Sequence, residues 1–105
     1  MKIIGITCNI DQKKLYLNRD YTTVVINLGF VPLIISPNMT EKILTHINKI
    51  SALIISGGRD INPNFYGEKN IACKNLVPDE RVLSDMRLLE AFIATGKPIL
   101  GICYG

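Results

Sequence analysis

The 105-residue chain has no tryptophan, a single histidine and only three cysteines. Aromatic residues make up 7% of it, too few to supply the stacking platforms that nucleic-acid readers interleave with basic side chains. A basic cluster is also missing. The 12 Lys and Arg and 9 Asp and Glu are scattered to a formal charge of +3, and Lys13-Lys14 is the one adjacent basic pair. That distribution argues against a nucleic-acid partner. No apolar run approaches membrane-spanning length, and Thr7, Asn9 and Asp11 interrupt the N-terminal run after Lys2, so no signal peptide is expected. The expected location is the cytoplasm, with no membrane partner. Three cysteines are an odd number without metal-ligand spacing, which fits a reducing compartment and free thiols. Neither a G-x-G-x-x-G nor a Walker pattern occurs, and no cofactor or metal is expected.

What the chain does have is apolar mass: 48% of its residues are hydrophobic, enough to offset the entropy of ordering one domain over residues 1–105. Apolar runs alternate with helical periods, the pattern of βα units that stack a parallel sheet between helix layers. Lys2 to Cys8 predicts the first strand, followed by a polar loop. Asn18 to Leu28 predicts a helix with Tyr21, Val24, Val25 and Leu28 on one face, stopped by Gly29. Val31 to Ile35 is a strand whose Pro32 belongs at a strand start or edge. Thr40 is expected to cap a helix running to about Ile50, with Ile43, Leu44 and Ile47 inward. Ala52 to Ser56 is a strand covered on both faces, ending at Gly57-Gly58. Residues 59 to 77 are expected to form a long aperiodic loop, either functional or partly mobile. Pro78-Asp79-Glu80 opens the clearest helix, with Val82, Met86, Leu89 and Ile93 as its inward stripe and Gly96 as its stop. Pro98 to Cys103 is the last strand.

Chemistry concentrates at that strand's end. Gly101-Ile102-Cys103-Tyr104-Gly105 is G-x-C-x-G, the thiol counterpart of the G-x-S-x-G nucleophile elbow. A nucleophile in a strained strand-to-helix turn needs small residues two positions away on either side. A following helix N-terminus would favour thiolate, and the next backbone N–H would face a developing oxyanion. Cys103 is thus a candidate nucleophile and Tyr104 N–H a candidate oxyanion donor. Taken alone, those five residues fit a tight turn around a buried structural cysteine equally well. The glycine pair adds weight to the first alternative. Gly57 or Gly58 ends a strand on the carboxyl edge where open α/β sheets bind ligands, and without a Cβ can bring an amide close to a substrate carbonyl.

With these features in view, the chain resembles the N-terminal half of a class I glutamine amidotransferase-like domain, and most closely its gamma-glutamyl-gamma-aminobutyrate hydrolase branch. "GITC" at 5–8, Tyr21 with "LGFVP" at 28–32, "SGGRDINPNFYGE" at 56–68 and "GKPILGICYG" at 96–105 match that branch in order and spacing. The resemblance implies a doubly wound, flavodoxin-like, mostly parallel sheet with helices on both faces, ending after the nucleophile strand. It implies that Cys103 forms a gamma-glutamyl thioester and that Gly58 and Tyr104, with Gly57 beside them, supply the oxyanion hole. Asp60 and Tyr66 are candidates for the substrate pocket, and the Phe65-Tyr66 pair fits an anchor for its own loop equally well. The branch often opens its third helix with Arg-Asp and then Glu. Here Arg81 is followed by Val82, with Asp85 at the acidic position.

The same resemblance implies a general base, a histidine followed by Pro and Glu, in the second half of such a domain. The single histidine here, His46, falls on the second helix and is expected to be satisfied or solvent-facing. The expected function is cysteine-dependent hydrolysis of a gamma-glutamyl amide in a small-molecule substrate, with this chain carrying the nucleophile and oxyanion hole. The alternatives are a glutaminase subunit delivering ammonia and a truncated, non-catalytic binding or assembly module. Cys8 is expected to be a packed core thiol, Cys73 an incidental one, and Asp79, Glu80 and Asp85 a solvated helix start. If the 105 residues fold alone, an exposed strand edge is expected to drive homo-oligomerisation.

Overall fold

The computed structural model describes residues 2–57 and 79–101. Four parallel strands, β1 (Ile3–Thr7), β4 (Val31–Ile35), β5 (Ala52–Ile55) and β6 (Ile99–Gly101), form one sheet in the order β4-β1-β5-β6. Each is a short, mostly apolar run, and β1 and β4 are largely β-branched, the composition expected of parallel strands between helix layers. Pro32 sits in β4 at the sheet edge, where its missing N–H costs least. The chain steps from β1 to β4 on one side, then crosses back over β1 to β5 and on to β6. The order is that of a doubly wound, flavodoxin-like α/β sheet, with its topological switch point between β1 and β5.

Helices cover both faces. α1 (Arg19–Asn27) begins where the Asn18 side chain accepts a hydrogen bond from the Asp20 N–H at 2.9 Å, and is stopped after its Leu28 cap by Gly29, whose φ of +89° is left-handed. It packs Val25 and Tyr21 against Ile4, Ile6 and Ile54. On the opposite face α2 (Thr40–Thr45) and α3 (Asp79–Thr95) bring Ile43, Leu88 and Phe92 onto Ile35, Leu53 and Ile55. This second cluster is the main core.

Four expectations need correction. The segment before α1 is not a plain polar loop: β2 (Asn9–Ile10) and β3 (Leu15–Tyr16) pair as an antiparallel hairpin. Its turn is closed by Asp11, whose Oδ1 accepts from the Lys13 and Lys14 amides at 2.7 and 2.8 Å, an Asx-type turn. The second helix is shorter than its apolar period suggests. Thr40 lies at its first residue and not at a cap, a 3₁₀ turn (Pro37–Met39) precedes it, and after His46 a second 3₁₀ turn (Ile47–Lys49) follows. On α1, Val24 and Leu28 are exposed and Val25 alone is fully buried. On α3 the inward stripe is Arg81, Val82, Asp85, Leu88 and Phe92, whereas Met86 and Ile93 face solvent. A stripe that includes an ion pair escapes a count of apolar residues alone.

Candidate active site

The carboxyl ends of β5 and β6 lie side by side. The strands pair in parallel with Leu53 opposite Ile99, Ile54 opposite Leu100 and Ile55 opposite Gly101. Of the residues singled out for catalysis, Gly57 is described, two residues beyond the last of these pairs. Gly58, Asp60, Tyr66, Cys103 and Tyr104 lie outside the described residues, as does Cys73.

Around Gly57 the strand ends are tied together by polar side chains. Arg81, in the first turn of α3, is completely buried and reaches into the switch-point crevice between β1 and β5. Its Nε donates to Asp85 Oδ2 at 3.2 Å. Nη2 donates to the Ser56 carbonyl at 2.7 Å, to Ser56 Oγ at 3.0 Å and to Thr7 Oγ1 at 3.3 Å. Nη1 donates to Asn9 Oδ1 and, at 3.4 Å, to the Gly57 carbonyl. Thr7 Oγ1 also accepts from the Ser56 N–H at 3.1 Å, linking β1 to the end of β5. Asn9 Nδ2 donates to the Gly57 carbonyl at 3.2 Å, and the Gly57 N–H donates to the Tyr21 hydroxyl at 2.8 Å. Gly57 is therefore held at both its amide and its carbonyl, and its N–H is already engaged by Tyr21.

The remaining candidates fall where their surroundings dictate. Cys8 is buried, with 1% of its surface exposed, and burial pushes its thiol above its ordinary value. The nearby Arg81 guanidinium acts in the opposite direction, and the Asp85 carboxylate again raises it. It is a protonated core thiol. His46 is exposed after α2. Asp79 and Glu80 are exposed at the start of α3, Asp85 is buried beside Arg81, and no cluster of metal-ligating side chains occurs among the described residues.

Sequence reasoning left Thr7, Asn9 and Ser56 unassigned, gave Arg81 no place in the fold and read Asp85 as part of a solvated helix start. The available signal was the spacing itself. Arg81 and Asp85, four residues apart, share a helix face with Leu88 and Phe92, so burying one end of that face brings the pair inward.

Comparison with known proteins gives one family whose model matches nearly all of the chain. The Peptidase C26 model covers residues 2–105. Three relatives carry provisional names of a related kind. The glutamine amidotransferase-like protein YvdE of Lactococcus lactis subsp. lactis (strain IL1403) is 28% identical over 94 residues, 90% of this chain and 40% of its own length. A homolog of it in Lactococcus lactis subsp. cremoris is 27% identical over 94 residues, again 90% of this chain and 50% of its own length. The protein Rv2859c of Mycobacterium tuberculosis (strain ATCC 25618 / H37Rv), provisionally named a glutamine amidotransferase, is 26% identical over 113 residues, 98% of this chain and 37% of its own length. The chain thus spans half or less of the length of the relatives it matches.

Proposed function

The chain belongs to the Peptidase C26 family, a family of cysteine-dependent amide hydrolases and amidotransferases, and on that premise we propose that it carries the nucleophile half of a gamma-glutamyl amide hydrolase. Cys103 Sγ attacks the gamma-carbonyl carbon, and the carbonyl oxygen becomes an oxyanion that accepts hydrogen bonds from the Gly58 and Tyr104 amides. Collapse of the tetrahedral intermediate breaks the C–N bond, leaving a gamma-glutamyl thioester and releasing the amine, whose nitrogen takes the proton that the domain's general base removed from the Cys103 thiol. Water then cleaves the thioester to a free gamma-carboxylate and restores the thiol. Asp60 and Tyr66 are the proposed contacts to the glutamyl moiety. Gly57, whose N–H binds Tyr21, orients the strand end in this scheme and the neighbouring amides donate.

The observation that carries the reading is the register of β5 on β6, with Ile55 opposite Gly101. Each motif begins within two residues of that pair, so the glycine pair and the cysteine elbow follow strands that leave the sheet at one edge. The test is turnover by the full protein on gamma-glutamyl amides of small amines, measured as amine release. Release that Cys103→Ala lowers by at least about a thousandfold supports the reading; release untouched by that substitution refutes it. The names of the relatives favour a second version of the same chemistry, in which the substrate is glutamine and the released amine is ammonia. Preference for glutamine over secondary gamma-glutamyl amides in the same assay selects it.

A further inference from the structure

We propose that Arg81 is a positioning residue that, together with Asn9 and Tyr21, sets the direction of the oxyanion-binding amide that follows Gly57. The inference rests on the reading above.

A completely buried arginine in the first turn of a helix is costly. Its charge opposes the helix dipole, and taking guanidinium and carboxylate out of water costs several kcal/mol per ion before their mutual attraction offsets it. An apolar pair of similar volume would fill the crevice at no such cost. What Arg81 does that an apolar side chain cannot is hold two successive carbonyls, those of Ser56 and Gly57, while its Nε is anchored on Asp85.

Those carbonyls need holding. Glycine has the widest backbone freedom of any residue, so without such bonds nothing in Gly57 itself fixes the direction of its carbonyl. A peptide unit is planar and nearly always trans, so its C=O and the N–H of the next residue point in opposite directions. Donors fixed on the Gly57 carbonyl therefore set the direction of the amide in the same plane, which is the proposed donor to the oxyanion. Asn9 Nδ2 supplies the second donor to that carbonyl at 3.2 Å, and Tyr21 Oη accepts from the Gly57 N–H at 2.8 Å, fixing the preceding plane. Such preorganisation matters because an oxyanion donor is worth about 10²–10³ in rate only when it is already aimed.

The experiment compares two reactions of one sulfur atom in the full protein. Acylation of Cys103 by a gamma-glutamyl 4-nitroanilide builds an oxyanion; alkylation by iodoacetamide displaces iodide and builds none. Arg81→Lys, Asn9→Ala and Tyr21→Phe are each expected to slow acylation by about tenfold or more, while alkylation stays within about twofold. Asn9 and Tyr21 are only partly buried, so their variants keep the test open if Arg81→Lys does not fold. If wild-type Cys103 is acylated and the folded variants either match it or lose both reactions in proportion, Arg81 has no positioning role and the proposed function stands. If wild-type Cys103 is alkylated and never acylated, the proposed function fails and the positioning role falls with it.

Discussion

At the scale of single residues, Arg81 and Asp85 show how a buried ion pair behaves. The pair is almost completely buried, so removing one partner strands the other charge away from water. Asp85→Ala is expected to cost about 3–5 kcal/mol, read as a fall in the urea midpoint. Cys8 makes a second residue-scale prediction. Burial keeps its thiol protonated above the ordinary value, whereas in the unfolded chain a cysteine ionises at about pH 8.5. Above that pH the unfolded state binds fewer protons than the folded one, so the stability that Cys8 contributes falls as pH rises towards its folded-state value. Cys8→Ala is expected to lose about 1 kcal/mol at neutral pH and to show a shallower decline than the parent between pH 8 and 10 in paired denaturation curves.

Among the secondary elements, β1 is packed so tightly that its Gly5 is a spacing device. A Cβ placed there would meet Ile35 Cδ1 at 2.8 Å and Ile50 Cγ2 at 3.4 Å. Gly5→Val is expected to destabilise by about 1–3 kcal/mol through overpacking, seen as a lower thermal midpoint. Lys97, after α3, closes the carbonyl end of the Ile47–Lys49 turn by donating to the Ile47 and Ile50 carbonyls at 2.5 and 2.7 Å, a cation where the local dipole favours one. Glu41 on α2 pairs with Arg87 on α3, and hydrogen bonding from Arg87 holds its carboxyl below its ordinary value. Both side chains are exposed, so this link is screened and adds little.

The elements also mark where sequence reasoning reaches and where it stops. The strands were legible because a short continuous apolar run bounded by turn residues reads as a strand, and Ile3–Thr7, Val31–Ile35 and Ala52–Ile55 are such runs. Gly29 and Gly96 were legible as stops because their positive φ values demand glycine. The β2–β3 hairpin was hidden because two-residue strands carry no period. The bend at His46 was hidden because the apolar spacing of Ile43 and Ile47 continues across it. The sequence offered the site as backbone chemistry, a glycine pair and a cysteine elbow, of which Gly57 lies among the described residues. The side chains around Gly57 come from separate elements, Thr7 from β1, Asn9 from β2, Ser56 from just after β5 and Arg81 from α3, and only the fold assembles them.

For the whole molecule, the two sheet faces are covered unequally. α2 and α3 bury the cluster around Phe92 and Leu53, whereas the other face carries α1 alone among the described helices. Beside it lies a hollow of about 370 Å³, lined by Tyr21, Val24, Val25, Ile54 and Leu100. Leu100 is 55% exposed on β6, an edge strand among the described residues. Apolar surface of this kind favours association. The 105 residues prepared alone are expected to sediment as dimers or larger species at micromolar concentration; a monodisperse monomer would contradict that. No helix among the described residues is long and apolar enough to cross a membrane.

The most direct measurement is peptide mass spectrometry of the full protein, quenched in acid during reaction with a gamma-glutamyl amide. The account predicts one gamma-glutamyl adduct, carried by Cys103 and lost on further incubation, with Cys8 and Cys73 unmodified. An adduct spread over all three cysteines, or turnover with no adduct on Cys103 at any time, would contradict it.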